Sequence, residues 1–317
     1  MSKILGVNTS HNCSFAVLTD NILTEYYEED RFNKIKHYCP DPDGDLEYEY
    51  EILKKFKDIT FDCVVINSHD RNNFVVEKAI IDNIIKQVKH KKYFFYPHQH
   101  HIFHALCGFY FSKFNETLAL ITDGGGEKLI TEDFGDPIAQ ASFDTIESIY
   151  LVNKKSVDNF YKHLSNKRID YFNSFIDKQE YRRYGNTDIK LSNKLCGGLK
   201  YLYYKEKAGF TDQGAEGQLM GLAAYADKPS PNLDLDALKI AKRAQEETLQ
   251  ERIELINKAK TYSNCKNIIL SGGYHLNCSN NFKLVKKFPE FNFFVDPIAY
   301  DGGTAVGAAY YYENYHR

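Results

Sequence analysis

A chain of 317 residues with 43% hydrophobic and 26% charged residues has the make-up of an ordinary globular protein, long enough for two domains or one large duplicated one. A formal net charge of -3 argues against a dedicated duplex-DNA binder, which carries a basic stripe. The apolar runs fall far short of a membrane span, no signal-peptide core follows Met1, and seven cysteines form no CxxC pair, so a reducing, cytoplasmic setting is expected.

In chain order, Lys3 to Asn8 reads as a short apolar strand, Ser14 to Thr19 as a second and Leu23 to Tyr27 as a third, with Asn21 opening a tight turn. The result is a β-meander. The turn within Gly6-Val-Asn-Thr-Ser-His-Asn-Cys-Ser14 would present hydroxyls, an imidazole and backbone amides to a cleft, although an ordinary polar turn has the same make-up. Glu28-Glu-Asp-Arg-Phe32, with Lys36 and His37 close behind, reads first as a solvated, salt-bridged face. Its functional reading is an anion site, with Lys36 and His37 on an anionic group and Arg31 on a carboxylate or phosphate. Phe61 to Asn67 is a buried strand, and Val75, Ala79, Ile80, Ile84 and Val88 mark a helix between Asn72 and His90. Tyr93 to Tyr96 is a short strand.

The most informative stretch comes next. His100 and His104 sit four apart in a helix read over His98 to Phe111, so both imidazoles share one face, one turn apart. Leu118 to Ile121 is a buried strand, and Asp123 hangs from its end before Gly124-Gly-Gly126. Two histidines on a helix and an aspartate at a strand end make an open metal site that suits iron, zinc or manganese.

Strands are expected again at Glu127 to Thr131, Ile138 to Ser142 and Ser148 to Val152. Residues 153–186 are polar and aromatic without clear period and read as an insertion or irregular cap. Leu191 to Lys205 reads as helix, Ala215 to Ala226 as a Gly-rich start followed by helix, and Leu233 to Thr261 as a long helix or helix pair. A strand at Asn267 to Leu270, a helix at Tyr274 to Lys287, a strand at Asn292 to Val295 and a helix at Thr304 to Tyr312 complete the chain. This pattern implies an α/β architecture of two similar lobes with a cleft between them, divided as 1–152 and 153–317.

Two late motifs carry chemistry. In Ile268-Ile-Leu-Ser-Gly-Gly-Tyr-His-Leu-Asn-Cys278, a strand, a Ser-Gly-Gly turn and a helix start suit a phosphate, although a tight strand–helix turn needs the same glycines. In Asp296-Pro-Ile-Ala-Tyr-Asp-Gly-Gly-Thr304, Asp301 either caps the last helix or supplies a fourth metal ligand.

Taken in order, these motifs and Ala215-Glu-Gly-Gln-Leu-Met-Gly-Leu-Ala-Ala-Tyr225 resemble the O-carbamoyltransferases of nodulation-factor and antibiotic biosynthesis. That family reads G-I-N-x-x-H-D-x-S, E-E-E-R-F-x-R-x-K-H, H-H-x-x-H-A, D-G-x-G-E, E-G-K-x-M-G-L-A-x-Y-G, L-S-G-G-x-x-L-N-C and D-x-G-x-A-x-G-A-A. The resemblance implies an actin/Hsp70-like ATPase fold of two ribonuclease-H-like lobes around a nucleotide, similar to the domain that transfers threonylcarbamoyl to tRNA. It implies a metal, iron, on His100, His104, Asp123 and Asp301. By the same resemblance His11, Lys36 and His37 face the carbamoyl group or the acceptor. Ser271, Gly272, Gly273, Asn277, Gly302 and Gly303 line the pocket of carbamoyl-adenylate or ATP. Asn12 stands where the family has Asp, Gln218 where it has Lys and Ala224 where it has Pro. The family's second, adenylate-forming domain is not represented in these residues, so a separate domain or protein is expected to supply carbamoyl-adenylate. The acceptor is expected to be a small molecule or nucleotide bearing a hydroxyl. A tRNA-type threonylcarbamoyl transferase, a non-catalytic nucleotide-binding subunit of a carbamoylating complex, and a sugar or acetate kinase are the alternatives, the kinase ranking last because the HxxxH pair has no use there.

Overall fold

In this computed structural model the described residues are 2–40, 48–68, 74–130, 142–165, 179–192, 194–212, 214–227 and 234–316. The opening meander is present as β1 (Lys3–Asn8), β2 (Ser14–Thr19) and β3 (Ile22–Glu28). Asp20 and Asn21 both have positive φ, the backbone a two-residue hairpin needs, and both residue types tolerate it. Short helices α1 (Asp30–Asn33) and α2 (Glu51–Lys55) lead to β4 (Thr60–Phe61) and β5 (Cys63–Asn67). Helix α3 (Phe74–Gln87), β6 (Lys89–His90), β7 (Tyr93–Tyr96) and α4 (His100–Ser112) follow.

The second half opens with β8 (Glu116–Thr122), β9 (Lys128–Ile130), β10 (Ser142–Asn153) and β11 (Val157–Ser165). Strands β12 (Gln179–Tyr184) and β13 (Thr187–Ser192) precede α5 (Gly197–Lys207), α6 (Glu216–Ala223) and α7 (Leu235–Tyr262). The chain continues through β14 (Asn267–Ser271), α8 (Cys278–Lys287), β15 (Asn292–Val295) and α9 (Thr304–Tyr311). None of the described helices is long and apolar enough to cross a membrane.

Two sheets result. The first runs β3-β2-β1-β5-β7; the second runs β11-β10-β8-β14-β15, with β13 and β12 added beyond β11. The five core strands therefore recur in one order: an antiparallel meander, then two parallel strands reached by crossovers. The strands that flank each crossover are uninterrupted apolar runs, as sheets covered on both faces require.

Three expectations change. The second sheet begins at β8, so the lobes divide between residues 112 and 116 rather than at 152. The supposed insertion contains β11, a core strand, and β12, which pairs with β13 just beyond it; residues 166–178 of it, and 138–141 of the expected Ile138 to Ser142 strand, lie outside the described residues. Hydropathy hid β11 because its buried positions include His163 and Ser165, polar residues satisfied by neighbours. The helix expected from Leu191 begins only at Gly197, because Leu191 and Ser192 still pair in the sheet.

The last helix of each lobe lies on the other lobe. Residues of α4 pack on β8, β10 and β14, where Gly108 meets Ile269, while α9 packs on β1, β2 and β5, where Ala305 and Ala309 sit over Gly6. The two helices cross in direct contact. A Cβ on Gly307 would overlap the carbonyl oxygen of Phe103, so the approach is backbone on side-chain-free backbone. Gly307→Ala is expected to force the helices apart and lower unfolding free energy by about 1–3 kcal/mol, as overpacking of a filled core does. Urea denaturation of both proteins checks this.

Candidate metal centre between the lobes

Helix α4 starts without help from its own N-cap residue: Gln99 makes no capping side-chain bond. Glu127 supplies the cap from the other lobe, its Oε2 accepting the His101 backbone N–H at 3.2 Å. Glu127 is buried, and Lys162 Nζ lies 2.5 Å from its other oxygen. Burial opposes that charge, and Lys162 overcomes it, holding the carboxyl well below its usual range.

So fixed, α4 points His100 and His104 at one spot, with Nε2 atoms 3.1 Å apart and both rings fully buried. Asp123, at the end of β8, spends Oδ1 on the backbone N–H groups of Gly124 (2.8 Å) and Gly273 (3.2 Å). Its Oδ2 is then aimed at His100 Nε2, 3.2 Å away, and His104 Nε2, 3.5 Å away. Asp301 divides its oxygens in the same way. Ser10 Oγ donates to Oδ2 at 3.0 Å, while Oδ1 stands 3.6 and 3.8 Å from the two Nε2 atoms. Four donors from three separate segments thus converge, all within 4.8 Å of one another. A metal held at about 2.0–2.2 Å by such donors separates neighbouring ones by roughly 3.0–3.5 Å. Two imidazoles and two single carboxylate oxygens fit a divalent iron, manganese or zinc ion.

Electrostatics point the same way. Burial alone would keep both imidazoles neutral, but Asp301 and Asp123 push His100 up to about 10 and raise His104. Burial likewise opposes ionisation of the two aspartates, and His100 and His104 hold both far below the carboxylate range. A cluster of two buried anions demands cations, and without a metal they are protons on histidine.

Beside this centre sits a second group. Ser10, bonded to Asp301, is followed by His11, whose ring stacks on His37 at 4.9 Å between centroids. His37 Nδ1 lies 3.4 Å from Asn12 Oδ1, and its Nε2 is buried with no hydrogen-bond partner among the described residues. Gly214 packs against His37 Nε2 and Lys36 Nζ. Burial, then His11 and Lys36, lowers the His37 pKa, so the ring is neutral at neutral pH. His11, Lys36 and His37 are therefore brought together at one edge of the cleft.

The other expected residues fare differently. Arg31 is exposed and pairs with its neighbour Asp30 at 3.6 Å. Glu28 and Glu29 do not form a solvated face: Glu28 accepts from Tyr26 and Tyr300, and Glu29 accepts the backbone N–H groups of Glu51 and Ile52, capping α2. Ser271 is fully buried and donates to Asp296 at 2.8 Å. Asn277 caps α8 through Asn280 N and donates to Gln245. Gly272 has φ +93 and lies on the Thr122 backbone, and the Gly273 amide is taken by Asp123. Gly302 faces Tyr26 and Tyr300 and accepts from Ser14; Gly303 faces Ile298 and Cys107. Of the Ser-Gly-Gly turn's amides, that of Gly273 donates to Asp123.

Residues 228–310 match the family model described as the carbamoyltransferase N-terminus. Over those residues the chain is similar to the carbamoyltransferases. It is 22% identical over 344 residues to nodulation protein NolNO of Sinorhizobium fredii, covering 94% of this chain and 46% of NolNO. It is also 27% identical over 312 residues to an uncharacterized protein of Methanocaldococcus jannaschii, covering 96% of this chain and 56% of that one. The chain spans about half the length of the relatives it matches. Among solved structures, full-length HypF in its phosphate- and nucleotide-bound form superposes with a TM-score of 0.56 at 12% identity, over 98% of this chain and 55% of HypF. Component A of the Acidaminococcus fermentans (R)-2-hydroxyglutaryl-CoA dehydratase gives 0.50 at 12% identity, over 98% of this chain and 97% of that one. The fold is the actin/Hsp70-like ATPase fold, two lobes with a cleft between them.

Sequence reasoning missed Glu127, Lys162 and a buried group around Arg252. Arg252 was findable: it falls on the apolar stripe of α7 with Ala241, Thr248, Leu255 and Ala259, where a charge needs a buried partner.

Elemental analysis of protein purified without chelator is expected to find a transition metal that a His100→Ala/His104→Ala double substitution removes. Glu127→Ala is expected to loosen the start of α4 and weaken metal affinity about 10- to 100-fold, the usual effect of removing an outer support, as read by competition with a chelating dye. Because the metal must displace the His100 proton, affinity is expected to rise with pH until about 10 and to fall on acidification. Titrations at three pH values check the sign.

Proposed function

We propose that this chain transfers a carbamoyl group from carbamoyl-adenylate to the hydroxyl of an acceptor, as a metal-dependent O-carbamoyltransferase. The observation that carries the reading is the junction of the four-donor centre with a neutral His37 whose Nε2 has no hydrogen-bond partner among the described residues, in a chain similar over residues 228–310 to the carbamoyltransferases. The nucleotide-bound state of HypF supports an adenine nucleotide in the cleft.

In this mechanism the ion, when bound, supplies Lewis-acid polarisation of a carbonyl or phosphate oxygen; iron is the ion we favour. His100, His104, Asp123 and Asp301 hold it, and Glu127 and Ser10 hold two of these ligands in place. The Asn12 amide oxygen favours the His37 tautomer with its proton on Nδ1, leaving the Nε2 lone pair to accept the acceptor's hydroxyl proton. The acceptor oxygen bonds to the carbamoyl carbon, and the bond from that carbon to the adenylate phosphate oxygen breaks, releasing AMP. Lys36, beside His37, places positive charge near the departing phosphate.

The test offers metal-loaded protein pre-formed carbamoyl-adenylate and a panel of hydroxyl acceptors, with products followed by mass spectrometry. A carbamoylated acceptor and AMP are expected in equal amounts. His37→Gln is expected to cut turnover by about 10²-fold or more with metal content unchanged. Since the His37 pKa lies below the ordinary imidazole value, turnover by the native protein is expected to hold through neutral pH and to fall only below about 6.5. Binding of nucleotide and metal without turnover on any acceptor would instead make the chain a nucleotide-binding subunit.

A further inference from the structure

We propose that Glu147, His163 and Cys196 form a second metal site, of zinc type, inside the second lobe. It does not rest on the carbamoyl-transfer reading.

Glu147 on β10 and His163 on β11 are register partners, so their side chains stand on one face of the sheet. Cys196 immediately precedes α5 and closes over them. All three are buried, at 6%, 2% and 6% exposure. His163 Nδ1 lies 3.1 Å from Glu147 Oε2 and 3.4 Å from Cys196 Sγ, and the three donor atoms lie within 4.8 Å of one another. Those separations match the edges expected around an ion bound at about 2.0–2.3 Å by N, O and S donors.

Counting protons sharpens the point. If His163 Nδ1 carries the ring proton, it donates to Glu147, and Nε2 is left to accept from both Ser192 Oγ at 2.9 Å and the Cys196 thiol at 3.7 Å. If Nδ1 accepts from the thiol, two acceptors, Nδ1 and Glu147 Oε2, face each other at 3.1 Å. In the first arrangement two donors share one Nε2 lone pair, whereas one cation is held by all three groups. The outer contacts are those a bound ion uses. Ser192 accepts the Nε2 proton and fixes the ring, and Arg252 binds the remaining oxygen of Glu147. Arg252 adds positive charge beside the site, and Glu251 offsets part of it at 3.8 Å. The ion replaces the thiol proton, which burial and Glu147 hold on the sulfur in its absence. A thiolate with an imidazole selects zinc over the harder ions that suit the His100 centre.

The test titrates metal-stripped full-length protein with cobalt(II), counting equivalents and following the thiolate-to-cobalt charge-transfer band in the near ultraviolet. Native protein is expected to take two equivalents and show the band. Cys196→Ser is expected to take one and lose the band, while His100→Ala/His104→Ala takes one and keeps it. Should Cys196→Ser fail to fold by circular dichroism, His163→Gln replaces it, and zinc X-ray absorption of the native protein must show one sulfur neighbour at about 2.3 Å. Absence of the band at saturating cobalt, or its persistence in a folded Cys196→Ser protein, overturns the proposal. One equivalent with the band present would uphold this site and refute the centre at His100.

Discussion

Gly307 has no room for a side chain because its helix rests on the main chain of the opposite one, at Phe103. The geometry of the centre follows from that contact. Phe103 lies between His100 and His104, and Gly307 lies one and a half turns beyond Asp301. The distance between the two helices therefore sets the distance between histidines of one and aspartate of the other. Bulk at the crossing would act on the ligands directly, not through some remote adjustment.

Both buried clusters obey one rule: an anion enters the interior only with a cation assigned to it. At the inter-lobe centre two carboxylates face two imidazoles, each carboxylate anchored by one oxygen and offering the other. Around Arg252 the balance is a fixed guanidinium, which cannot be given up, shared between Thr122 and Glu147. The imidazoles of the first can give up their protons to a metal, while the guanidinium of the second keeps its own charge. Thr122 and Asp123 are adjacent in sequence, and the strand end that holds the one arrangement also braces the other.

Much of this was legible in the residues. Apolar runs located β1, β5, β8 and β14, and the HxxxH spacing with Asp123 named three donors without any tertiary information. What escaped was whatever depends on partners far along the chain. Glu29 reads as surface charge until α2 arrives to be capped by it. The polar face of β11 reads as loop because His163 is satisfied by β10 and β13 neighbours. Ser271 and Asn277 donate to Asp296 and Gln245, partners 25 and 32 residues away in sequence. A strand–Gly–helix signature specifies a backbone path; it does not say whether a ligand or a neighbouring side chain fills the turn.

The exchange of last helices also fixes an order of events during synthesis. The face of β1 and β5 that α9 covers is made within the first 67 residues, yet its cover emerges only with residues 304–311. Closing it is a contact between residues far apart in sequence, a slow kind of step in folding. The cover of the first sheet and the inter-lobe centre, which needs Asp301, are therefore completed only once residues 301–311 are in place.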